Sequence, residues 1–104
     1  MISRVWHGWT RRENADAYEN LLRQEVLPGI HRVDGFKGAQ LLRRDAPNGK
    51  EVEFVTITLF DSLDAVREFA GEDYEVAVVP PPARKLLAHF DGRSAHYETV
   101  FQVA

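Results

Sequence analysis

Hydrophobic residues recur along this chain with two different periods, and the switching between them lays out the elements. The stretch EVEFVTITLF (51–60) has the period of two expected of a strand, in which alternate side chains point to opposite faces. One parity carries Val52, Phe54, Thr56, Thr58 and Phe60; the other carries Glu51, Glu53, Val55, Ile57 and Leu59. Both turn apolar toward the C-terminal half, so both faces of this strand need cover. ISRVWHGWT (2–10), rich in β-branched and aromatic residues, reads as a first strand. GFKGAQLLRRD (35–45) reads as a second, joined to 51–60 by PNGK (47–50), whose Asn-Gly pair signals a hairpin turn. RSAHYETVFQV (93–103) closes the chain as a fourth strand.

Between these runs the spacing changes to three or four. Tyr18, Leu21, Leu22 and Val26 form one helical stripe, and Leu63, Val66, Phe69 and Ala70 form another. Thr10 followed by Glu13 is a capping-box pattern at the start of the first helix, and Pro28-Gly29 ends or bends it. Asp61-Ser62 offers a cap to the second helix and Gly71 a stop. In VVPPPARKLLAHF (78–90) the prolines postpone helix until Ala83, so a short helix from there to about His89 is expected.

The order β-α-β-β-α-β describes an α+β, ferredoxin-like fold: a four-stranded antiparallel sheet with both helices on one face. Right-handed crossovers place the first and third strands in its centre. Nothing remains in the chain to cover the other face. At about 25 cal/mol per Å² of apolar area, a wet sheet face forfeits a sizeable part of the roughly 5–15 kcal/mol that stabilises a domain. The most economical cover is a second copy packed about a two-fold axis, so a homodimer through the sheet face is expected.

Composition narrows the function without choosing it. The 104 residues, 44% hydrophobic and 28% charged, suit a single globular domain over 1–104. A net charge of −3 supplies no basic surface for nucleic acid or for a membrane. The absence of cysteine excludes disulfides, thiolate metal sites and cysteine nucleophiles. No apolar run is long enough to span a bilayer, and MISR at the start lacks a signal peptide's apolar segment, so the cytoplasm is the expected location.

Taken with this order of elements, WHGWT in the first strand, LPGIHRVDGFKGAQLLRR leading into the second, VEFVTITLFDS, FAGEDYEVAVVPP and HYETV resemble the antibiotic biosynthesis monooxygenase domain family of the dimeric α+β barrel superfamily. The resemblance spans nearly the whole chain and concerns layout rather than a catalytic signature. It implies a barrel made by two facing sheets in a homodimer, with one pocket per subunit between sheet and helices. Members of the family include cofactor-free oxygenases of phenolic or quinol-like molecules, heme degraders, and proteins without known activity, so fold alone assigns no reaction. A heme degrader would carry an asparagine, a tryptophan and an axial histidine where this chain has Gly8, Phe60 and about Val79. All three depart from that pattern, which leaves heme or another hydrophobic ligand, bound without turnover, as the alternative reading.

A cofactor-free oxygenase asks little of its protein. A deprotonated phenol or hydroquinone reduces dioxygen by itself, provided the site binds an aromatic slab, takes a proton and excludes water. Trp6 is the expected pocket wall, with Gly8 leaving room beside it; Trp9 has the opposite parity. Phe60, on the neighbouring central strand, is a second candidate for the slab. His96 and His7, on adjacent antiparallel strands, are the candidate general bases. Arg4 could pair with a phenolate, and Tyr74, in the GEDYE loop, could meet a ligand carbonyl at the pocket mouth. No metal site and no cofactor are expected, because two histidines without a third ligand do not make one. The same residues permit a duller reading, in which the aromatics are core filler and the histidines are satisfied by backbone or by Glu98.

Overall fold

The computed structural model describes residues 1–103. Strand β1 (Ile2–Arg11) is followed by helix α1 (Arg12–Leu21), a π-helical turn (Leu22–Val26) and a last helical turn, α2 (Leu27–Ile30). The hairpin β2 (Phe36–Asp45) and β3 (Glu51–Phe60) comes next, then α3 (Leu63–Ala70), α4 (Pro81–Leu86), β4 (Leu87–Phe90) and β5 (Ala95–Glu98). The sheet runs β2-β3-β1-β4, with β5 also paired to β1, and every pairing is antiparallel. The α+β, ferredoxin-like arrangement therefore stands, with β1 and β3 in the centre. Among the described residues no helix is long and apolar enough to cross a membrane.

Register assigns the faces. Ile2, Arg4, Trp6, Gly8 and Thr10 lie opposite Phe60, Thr58, Thr56, Phe54 and Val52, and this inner row faces the helices. Its large members anchor two separate cores. Phe54 packs with Tyr18, Leu22 and Ala83, its ring 4.8 Å from the Tyr18 ring; Phe60 packs with Ile30, Ala65 and Val66. The outer row carries Val5, His7 and Trp9 of β1, and Glu53, Val55, Ile57 and Leu59 of β3. No described element packs on it, and Leu42 and Tyr97, at its two sides, are 46% and 58% exposed.

Several local expectations hold for identifiable reasons. The Asn48 carboxamide accepts from the Lys50 and Glu51 backbone amides, and Gly49 takes a φ of +72°, which closes the hairpin turn. Ser62 Oγ accepts from the Ala65 amide at 3.2 Å and caps α3, and Gly71, at φ +91°, ends it.

Four expectations are corrected. The cap of α1 is Arg11, with no side-chain bond; Thr10 is pulled into β1 by pairing with Val52 and Leu87, and its hydroxyl is buried without a partner. Pro28-Gly29 does not end the first helix, which runs on to Ile30 through the π turn. A widened turn ahead of Pro28 fits a residue that cannot donate to the preceding turn. Pro81 and Pro82 occupy the first positions of α4, where a missing N–H costs nothing, so the helix begins before Ala83 and ends at Leu86. His89 is consequently on a strand. The closing strand is two short strands, β4 and β5, lying along opposite ends of β1, and the chain after Glu98 has no strand partner among the described residues.

Replacing Phe54 by Ala is expected to cost about 3–5 kcal/mol in urea unfolding, because it empties the first core. Ser62→Ala is expected to cost about 1 kcal/mol through loss of the α3 cap. Equal costs for the two would contradict this division of the interior.

Candidate functional site

The two cores are separate clusters of buried residues, bridged by part-buried Leu27. Between them, under α1, the π turn and the loop before α4, lies a cavity of about 390 Å³. Its size is that of a small-molecule site. Its floor is the middle of the inner row: Thr56 and Thr58 of β3 beside Trp6 and Arg4 of β1. Threonine in this stretch is too short to fill the space that phenylalanine fills at positions 54 and 60, so the helices cannot close down there. The walls are mostly apolar, with Leu27, Phe69 and Val79 among them, and the Tyr18 hydroxyl end is the helix-borne polar contribution from the interior. Burial raises the Tyr18 pKa, which keeps it a neutral phenol.

Trp6 is a wall of the cavity, as its parity predicts. Its indole N–H donates to the Asp91 carbonyl at 2.7 Å and its ring lies 5.8 Å from that of Phe90, so the slab is fixed at both ends. Gly8 does leave room, and the room is used: an added Cβ would sit 3.0 Å from both Leu87 Cδ2 and Trp6 Cη2.

Arg4 also reaches the cavity and is only 4% exposed. Nη1 donates to the Tyr74 carbonyl and to His96 Nε2 (3.0 Å), and Nη2 donates to the Val76 carbonyl at 3.2 Å. The guanidinium carbon stands 5.5 Å from the Phe69 ring centre. Among the described residues no carboxylate lies within ion-pair distance of it, and burial lowers its pKa to about 10. It remains a cation at neutral pH.

The remaining candidates are placed differently. His96 is opposite Arg4 on β5 and stands behind it rather than in the cavity. Arginine can only donate, so Nε2 must accept; the neutral ring then carries its proton on Nδ1, which is buried and without a partner. The lone pair a base would use is spent on Arg4. His7 lies on the outer face, its Nδ1 3.0 Å from Glu53 Oε2, and so His7 and His96 do not approach each other across the sheet. Arg44 and then His7 hold the Glu53 carboxyl below its ordinary pKa. Phe60 shares the inner face with Trp6 but is sealed in the second core, away from the cavity. The Tyr74 ring packs edge-on against His96 at 5.0 Å and under Arg67, so it braces the Arg4 cluster and does not stand at the mouth. Trp9 stacks on His89 at 4.6 Å, on the outer side.

Three cavity residues were not legible as site residues. Glu25, exposed at the mouth, is the carboxylate among the lining residues; Ser94 and Thr56 present hydroxyls with no partner. The pair of threonines inside an otherwise apolar inner row was the available signal.

The sequence profile described as antibiotic biosynthesis monooxygenase matches residues 1–79. Among curated proteins, no sequence matches the chain significantly. Solved structures do. A candidate antibiotic biosynthesis monooxygenase of Bacillus cereus is 15% identical with a TM-score of 0.69, over 100% of this chain and 95% of that one. The heme degrader MhuD of Mycobacterium tuberculosis, with two hemes in its active site, is 17% identical with a TM-score of 0.62, over 100% of both chains. A Streptomyces coelicolor monooxygenase from the gene ActVA-Orf6, in complex with nanaomycin D, is 16% identical with a TM-score of 0.60, over 99% of this chain and 90% of that one. At these identities the likeness is one of fold.

Burial and then Arg4 lower the His96 pKa from 6.5, while Glu75 opposes them. The unfolded chain therefore takes up this proton first as pH falls. Stability from this residue is complete above 6.5 and is lost on acidification toward the folded value. His96→Gln, which keeps a neutral acceptor for Arg4, is expected to flatten that part of the acid limb in urea midpoints measured against pH. An unchanged limb would show that the His96 pKa does not differ between the folded and unfolded chain.

Proposed function

The chain belongs to the antibiotic biosynthesis monooxygenase family, and from that footing we propose that it is a cofactor-independent oxygenase of a flat aromatic or quinol-like molecule held in this cavity. What supports the reading is a single arrangement: an apolar chamber floored by an anchored tryptophan and a buried arginine with no carboxylate partner. Trp6 offers a face for the slab, and Arg4 favours the oxyanion of an ionised phenol over its neutral form. Glu25 at the mouth takes the proton toward solvent. Dioxygen is the oxidant. For an anthrone-type substrate, one ring methylene and one O₂ become one ring carbonyl and one water, with all four electrons drawn from that carbon. His96 serves this chemistry by holding Arg4, and His7 has no part in it.

Heme fits these residues poorly. Among the described residues no histidine lines the cavity, and His96 Nε2 is engaged by Arg4. The phenol of Tyr18 is held neutral by burial, against the phenolate that would ligate iron.

The protein acts, in this reading, as a homodimer joined through the outer sheet face. Val55, Ile57 and Leu59 on that face are part-exposed and meet no element of their own chain. Light scattering is expected to return about twice the chain mass of 11.9 kDa; the mass of one chain at micromolar concentration would exclude the dimer.

Oxygen uptake with an anthrone or a hydroquinone is the test of the activity. Thr56→Phe fills the floor without breaking a hydrogen bond and is expected to slow uptake by at least about tenfold, equivalent to about 1.4 kcal/mol of barrier. No uptake by the unaltered protein with either substrate class would remove the oxygenase reading.

A further inference from the structure

Arg4 is the buried charge of the cavity, and among the described residues no side chain of opposite charge answers it. A buried guanidinium is ordinarily paired, because an isolated charge in a low-dielectric site is costly. Here its partners are neutral throughout: two backbone carbonyls and the acceptor nitrogen of His96. Those bonds occupy both Nη1 protons and one on Nη2. The Nε–H and the second Nη2–H make no hydrogen bond among the described residues. Donors on those adjacent nitrogens form the planar fork that grips two oxygens, or one, of an anion.

The surroundings agree. The Thr58 residue lies directly across from Arg4 in the sheet, Thr56 across from Trp6, and Ser94 borders the same space. Thr56 Oγ1 and Ser94 Oγ are buried without partners, so the polar end of the chamber holds unspent hydroxyls beside the unspent cation. Glu25, the one carboxylate in the lining, is exposed at the mouth and within ion-pair distance of no cation among the described residues. Apart from Tyr18, the rest of the wall is apolar.

We propose that the cavity selects its ligand as an anion: a flat aromatic carrying a phenolate or carboxylate oxygen, seated with the ring against Trp6 and the charged oxygen on the Arg4 fork. This rests on the oxygenase reading for the identity of the pocket, not for its chemistry, since binding needs no turnover. The counter-charge that completes Arg4 comes from the ligand. His96 acts as a positioning residue, fixing Nη1 so that the Nε/Nη2 edge faces the chamber.

Quenching of tryptophan fluorescence by 2-naphthoate and by 2-naphthamide compares an acid with a neutral molecule of nearly the same shape. The unaltered protein is expected to bind the naphthoate at least about tenfold more tightly, which is about 1.4 kcal/mol of discrimination. In Arg4→Gln that ratio is expected to fall to near one, and Arg4→Lys, which keeps charge without the fork, to retain only part of it. Equal affinities in the unaltered protein, no saturable binding of either compound, or a ratio that survives in a folded Arg4→Gln would overturn the proposal. The comparison in the unaltered protein decides the matter even where the variants fail to fold. Anion selectivity without oxygen uptake would leave this inference standing and remove the oxygenase reading; uptake without selectivity would do the reverse.

Discussion

Two threonines between two phenylalanines set the shape of this molecule. The inner row of β3 reads Val52, Phe54, Thr56, Thr58, Phe60, and each large residue nucleates a core beneath its own helix. The short residues between them leave a gap that the helices above cannot fill without losing their grip on the phenylalanines. Close packing normally removes a gap sealed from water; this one, of about 390 Å³, opens at a mouth beside Glu25, so solvent or a ligand can occupy it. The π turn at Leu22–Val26 belongs to the same constraint: it carries the chain over the gap and puts Leu22 into one core while Ile30, about two turns later, reaches the other.

Arg4 binds the parts together. Its guanidinium collects the carbonyls of Tyr74 and Val76, so the loop after α3 is tied to the central strand, and the loop is tied again to the sheet edge by the Val76–Arg93 bridge and by Ser94 N–H donating to the Glu75 carbonyl. Tyr74 and His96 then pack against each other around it. A cation used this way stabilises the loop at the cost of its own desolvation, and the lowered pKa is the mark of that cost. The group that clamps the loop is also the one that borders the cavity, which is economical in a chain this small. If the proposed ligand binds at Arg4, loop order and ligand binding are coupled through the same hydrogen bonds.

The fold was legible because its signals are local and periodic. Parity in 51–60 identified β3 to the residue, Asn48-Gly49 fixed the hairpin, and Ser62 and Gly71 bounded α3. What failed was wherever tertiary pairing overrode a local preference. Thr10 is a good cap in isolation, yet two neighbouring strands, β3 and β4, claim its backbone. The prolines at 80–82 suppress helix in general but suit a first turn, and only the structure shows that a first turn is what they occupy. Of the site, parity found Trp6 and Arg4. It could not find that His96 has its useful lone pair turned toward Arg4, because tautomer and rotamer are settled by neighbours ninety residues away in sequence. Nor could it separate Phe60 from the pocket, since both share a face and differ only in which end of the strand the helices close over.

The alternation of β1 finally separates two tasks that a short chain must perform with the same strand. Arg4 and Trp6 look inward to the cavity, while Val5, His7 and Trp9 look outward to the uncovered face. Residues one position apart therefore face cavity and outer surface without competing for space. The outward set is not purely apolar: His7 and Arg44 converge on Glu53, and His89 bonds to Glu51 while stacking on Trp9. Charges satisfied within one chain can be covered by a second copy without an unpaired group being buried, whereas the same carboxylates left single would oppose it. The polar part of the outer face is thereby compatible with the proposed dimer, and the apolar part is the surface such a dimer would cover. Any partner that holds β1 rigid from outside also holds the backbone from which Arg4 and Trp6 project, so the geometry of the chamber depends on both faces of one strand.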